Sequence, residues 1–88
     1  VYIMDKKEIW RKLQQIIWEI AGDDTIAIEQ DTKLIEDCNF DSLNVMDMLS
    51  EIERVFGVDF MDLEDFEEKF NECSMLCDGI AELMEIHE

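Results

Sequence analysis

The residues of this chain best able to do chemistry gather in one stretch, "DCNFDSLNVMDM", residues 37–48. It contains Ser42 directly after Asp41, with Asp37 and Asn39 at alternate positions before them. A serine can act as a nucleophile, but its hydroxyl attacks well only when a neighbouring base takes the proton. The sole histidine is His87, far along the chain, and the nearest lysine in sequence is Lys33, set among carboxylates. No glycine-rich elbow surrounds the serine. The chain therefore lacks the parts for hydrolysis of its own.

The alternation of Asp37, Asn39 and Asp41 has the spacing of the first ligands in a calcium loop. Such a loop also needs glycine at its sixth position for the turn and glutamate at its twelfth for a bidentate bond. Ser42 and Met48 stand there instead, so no metal site is expected. The plainest role for this stretch is capping, because Asp and Ser routinely accept hydrogen bonds from the open N–H groups of a helix start. A capping box would place Glu or Gln at the third helical position, where Asn44 and Val45 stand. Leu43 and Met46 also flank the serine on the side away from the core stripe.

Composition narrows the partners. Of the 88 residues, 24 are acidic and seven basic, a formal net charge of −17. Four of the bases (Lys6, Lys7, Arg11, Lys12) fall in the first 12 residues, so residues 13–88 hold 22 acids against three bases. That surface repels phosphate backbones and anionic lipid and steers toward basic protein surfaces. Three cysteines, Cys38, Cys73 and Cys77, make no paired framework. With one histidine and no second cysteine pair they do not read as a zinc site. They read as reduced core thiols of a cytoplasmic protein. No apolar run has the length of a membrane span or a signal segment.

The elements that must position Ser42 are helical. There is no proline and there are only three glycines. Asp5 is placed to cap a first helix with Glu8 three residues on, and Ile9, Trp10, Leu13, Ile16, Ile17 and Ile20 form its stripe, ending near Gly22. Trp18 falls at the margin of that stripe. Residues 23–41 lack helical periodicity and read as a long loop, packed down by Ile26, Ile28, Leu34, Ile35 and Phe40. A second helix is predicted from Ser42 to Phe56, with Val45, Leu49, Ile52 and Phe56 inward and Gly57 at its end. Leu43, Met46, Asp47, Ser50 and Arg54 lie on its other side. "VDFMDLEDFEEKF" reads as a bend and a short helix pinned by Phe60, Leu63, Phe66 and Phe70. Asn71 is expected to cap the last helix, which buries Cys73, Leu76, Cys77, Ile80, Leu83 and Met84. Gly79 weakens that helix by about 1 kcal/mol relative to alanine. The fold class is all-α: a four-helix bundle of three long helices and one short, with a long loop between the first two. One domain is expected over residues 1–88, in which Val1–Ile3 read as a remnant ahead of Met4.

The stretch "DTKLIEDCNFDSLNVMDMLSEIERVFGVDF" resembles the acyl carrier protein family, including its peptidyl and aminoacyl carriers. "DSL" alone is weak; with "LIED" before it, "FGVDF" after it and helical periodicity on both sides, the combination is specific. The resemblance runs from the first helix to Met84. It implies that a phosphopantetheinyl transferase attaches 4′-phosphopantetheine, drawn from coenzyme A, to Ser42. Ser42 then needs no base of its own. By the same analogy Asp41 helps hold the transferase's magnesium ion. Leu43, Met46, Asp47 and Arg54 would form the face that docks loading ligases and synthase enzymes with basic surfaces. The implied protein is a monomeric stand-alone carrier of acyl or aminoacyl thioesters, in fatty acid, polyketide or nonribosomal peptide biosynthesis. An unmodified acidic adaptor for basic proteins is the competing reading. Some positions depart from the family's pattern: Asn39 replaces a usual glycine, Asn44 and Arg54 replace frequent acids, and Ser50 replaces an apolar residue. "EKFNECSMLCDGI" is closer to aminoacyl and specialised stand-alone carriers.

Overall fold

The computed structural model describes residues 5–59 and 66–84. Among them run five helices: α1 (Lys6–Ala21), α2 (Leu34–Asp37), α3 (Ser42–Phe56), α4 (Phe66–Lys69) and α5 (Cys73–Leu83). The architecture is the expected all-helical one, with a single added turn. That turn, α2, lies inside the segment read as a loop. Its four residues are too few to show a period in sequence, and Leu34, fully buried, pins it to the core.

Apolar spacing and caps account for the long helices. In α1 the Oδ1 of Asp5 accepts the Glu8 N–H at 2.9 Å, and Ile9, Leu13, Ile16 and Ile17 are buried. The helix ends where Gly22 turns left-handed at φ 69°, a conformation costly for residues with a Cβ. α3 buries Val45, Met48, Leu49, Ile52 and Phe56 and ends likewise at Gly57. α1 packs against both α3 and α5, so the core lies along its inner face. Met48 belongs to this core and is fully buried, although it lies outside the Val45, Leu49, Ile52 and Phe56 spacing. Leu83, expected inside, is 49% exposed on the last turn of α5.

The long connection is held by side chains rather than by repeats. Trp18 Nε1 donates to the carbonyl of Ile26 at 2.8 Å, and Gln14 Nε2 to that of Ile28 at 3.0 Å. Farther along, the chain pairs in a ladder-like way with the start of α5. Leu34 N–H donates to Asn71, Cys73 N–H to Thr32 and Ser74 N–H to Gln30, each at 2.9 Å.

Asn71 is not the cap of α5; Glu72 holds that position, with no side-chain cap bond. Asn71 is buried and turned toward the loop. Its Oδ1 accepts the Ile35 N–H at 2.9 Å and its Nδ2 donates to Glu36 at 2.7 Å. An amide that can both donate and accept serves better as a latch here than as a cap. Gly79 also has a reason in the fold. A Cβ at that position would lie 2.7 Å from Cε1 of Phe70, so the glycine admits the ring against α5. Phe70 is half-buried against the core, whereas Phe60, Leu63 and the side chain of Phe66 lie outside the described residues.

Candidate functional site

Three local devices bring the chain to Ser42. The carbonyl of Leu34 accepts from both Cys38 N–H (3.2 Å) and Phe40 N–H (3.1 Å), closing α2 into a tight turn. Asn39 takes that turn at φ 57°, the left-handed region asparagine tolerates better than most residues. Phe40, 4% exposed, then anchors the segment in the core two residues before α3 begins.

At the start of α3 the cap is reciprocal. Asp41 Oδ1 accepts the Asn44 N–H at 2.9 Å, and Asn44 Oδ1 accepts the Asp41 N–H at 3.1 Å. Asn44 thus does the work of the glutamate or glutamine that the sequence argument required, because its shorter amide still reaches the backbone. Ser42 occupies the first helical position inside this box, exposed to solvent. Its hydroxyl makes no hydrogen bond among the described residues, and no base touches it.

The N–H groups of Ser42 and Leu43 also have no partner among the described residues. They lie at the positive end of a 15-residue helix, where an anion is stabilised. Asp41 Oδ2 is likewise unengaged among the described residues. An exposed hydroxyl beside open N–H donors fits a phosphodiester.

The face beside the serine carries exposed apolar side chains. Leu43 is 69% and Met46 48% exposed, and Asp47 and Ser50 are exposed below them. Arg54 lies on the same side but is engaged. Its Nη2 donates to Glu51 Oε2 at 2.6 Å, and this contact holds the Glu51 carboxyl below its ordinary range. The structure therefore brings Ser42, Asp41, Leu43, Met46 and Asp47 to one end of α3 and places Arg54 near the other. No group of three or more His, Cys, Asp or Glu residues among the described residues could hold a metal ion. Sequence reasoning missed the roles of Asn44 and Asn71. Asn44 had a usable signal, its spacing of three residues from Asp41; Asn71 had none, since its partners are 35 and 36 residues away.

The described residues form a helical bundle that sets an exposed serine on the first turn of a capped helix, where another protein can reach it. The family model described as "Phosphopantetheine attachment site" matches residues 11–73. The acyl carrier protein of Thermotoga maritima is 39% identical over 61 residues, covering 67% of this chain and 75% of that protein. That of Rubrobacter xylanophilus is 33% identical over 61 residues, covering 69% and 75%. That of Guillardia theta is 32% identical over 59 residues, covering 67% and 73%. The chain belongs to the acyl carrier protein family. It is accordingly a non-enzymatic carrier whose prosthetic group is a covalently attached 4′-phosphopantetheine, and its partners in general are a phosphopantetheinyl transferase and synthase enzymes. No helix among the described residues is long and apolar enough to cross a membrane.

Proposed function

We propose that Ser42 is the residue that carries the arm, and that the chain holds acyl or aminoacyl intermediates as thioesters for partner enzymes. The observation that carries this reading is the exposed hydroxyl of Ser42 inside the Asp41–Asn44 cap, which makes no hydrogen bond among the described residues. When bound, the arm supplies a thiol on a flexible tether, able to form a thioester. The protein's own residues do the positioning. The cap fixes the first turn of α3, the N–H groups of Ser42 and Leu43 would hold the phosphate of the arm, and Asp41 Oδ2 would be left for the transferase's magnesium ion. Leu43 and Met46, with Asp47 beside them, form an apolar face rimmed with acid, suited to ligases and synthases with basic docking surfaces. Arg54 lies at the far end of that face, its charge already balanced by Glu51. The reading places the chain as a single, monomeric domain in the cytoplasm, in fatty acid, polyketide or nonribosomal peptide biosynthesis.

Incubation with coenzyme A and a promiscuous phosphopantetheinyl transferase tests it by intact mass. The wild type gains one arm, and Ser42→Ala, folded by circular dichroism, gains none. A wild type that stays bare, or a Ser42→Ala protein that still gains the arm, overturns the assignment.

A further inference from the structure

The surface around the first half of α1 reverses the sign of the rest of the chain. A groove of about 420 Å³ opens there between α1 and α5. Lys6, Lys7, Trp10, Arg11 and Gln14 line it from α1; their spacing puts them on one face of the helix. Lys6 is tied to Asp78 of α5 at 3.4 Å. Lys7 and Arg11 have no carboxylate partner among the described residues, so two cations at the groove are unbalanced.

The two tryptophans differ in what they leave free. Trp18 commits its indole N–H to the carbonyl of Ile26, whereas that of Trp10 has no partner among the described residues. The Trp10 ring is half-buried, packed on the core from one side and lining the groove. Across the groove Gln30 is exposed, and its side-chain amide is unengaged among the described residues. Cys77 contributes a neutral wall, since burial pushes its thiol up to about 11.

Cations, an aromatic plate and a free amide converge on a space within the range of small-ligand sites, roughly 300–1,000 Å³. We propose that this groove is a second binding site, for a small anion joined to a flat ring, of the nucleoside monophosphate class. Lys7 and Arg11 take the phosphate, which two positive charges balance. The ring lies along Trp10, and the Gln30 amide, both donor and acceptor, meets its polar edge. A longer polyanion is disfavoured, because beyond the groove the surface is strongly acidic. None of the lining residues belongs to α3, so occupancy is independent of whether Ser42 is modified.

The full chain carrying Trp18→Phe leaves Trp10 as the only tryptophan emitter, and adenosine monophosphate is the probe. The expected result is a saturable change in Trp10 emission, with adenosine and inorganic phosphate each at least about tenfold weaker because each supplies half of the contacts. Lys7→Glu with Arg11→Glu weakens binding by about tenfold or more. Lys12→Glu, a base outside the groove, changes it less than about twofold. Amide chemical shifts of Lys7, Trp10 and Arg11 in the wild type give the same reading should Trp18→Phe fail to fold. Absence of saturation, an unchanged affinity in the double charge reversal, or inorganic phosphate binding as tightly as the nucleotide would each overturn the proposal.

Discussion

Asp41 and Asn44 exchange two hydrogen bonds, side chain to backbone in both directions, and Ser42 stands between them at the first position of α3. One local motif thus both starts the helix and presents the hydroxyl. Asp41 is assigned two roles, cap and magnesium ligand, and substitution can part them. Asp41→Asn keeps an acceptor for the Asn44 N–H and should cost little stability, whereas Asp41→Ala should cost about 1 kcal/mol in urea denaturation. Both should slow transfer of the arm if the charge helps hold the ion. A normal transfer rate for Asp41→Asn would confine Asp41 to capping.

Asp47 is exposed beside Leu43 and Met46, with no ion pair among the described residues. Asp47→Lys should leave the melting temperature nearly unchanged while slowing the transferase several-fold, an effect that fades with added salt. An unfolded variant would show the residue to be structural instead.

Asn71 joins two segments far apart in sequence through a buried amide. Removing it leaves the Ile35 N–H without its acceptor and frees the loop that leads to Ser42. Asn71→Ala should lose about 1–3 kcal/mol by urea denaturation. Hydrogen exchange should quicken first at Ile35, and no change there would mean the latch is dispensable.

Gly79→Ala would stabilise an exposed helix by about 1 kcal/mol. Here the added methyl meets the Phe70 ring at 2.7 Å. The net effect should be destabilisation of about 1–3 kcal/mol, relieved when Phe70→Leu is added. A higher melting temperature for Gly79→Ala alone would show that the ring moves aside freely.

Burial raises the thiol of Cys73 to about 12 and that of Cys77 to about 11. In the unfolded chain both ionise near their ordinary value of about 8.5. Their contribution to stability is therefore whole below that pH and is lost as pH climbs toward the folded values. Thermal melts should show a decline between about pH 9 and pH 11, shallower in Cys73→Ala. A pH-independent melting temperature over that interval would contradict the burial argument.

Much of this protein is written in short-range patterns. Asp5 with Glu8, the Ile9–Leu13–Ile16 stripe, Gly22 and Gly57 name the helices and their ends, because capping and periodicity act over a few residues. The same range suffices to put Ser42 at a helix start. It does not suffice for α2, whose single turn exists because Leu34 is buried, nor for Asn71, whose bonds go to Ile35 and Glu36. It also misplaced Leu83, since helical spacing assigns a face but not where the neighbouring helices stop covering it. The sequence alone determined that a serine would open a capped helix in an acidic helical chain. Tertiary structure decided what holds that serine in place, and which of Phe70 and an alanine at position 79 could share one space. Those outcomes depend on contacts between segments that only packing brings together.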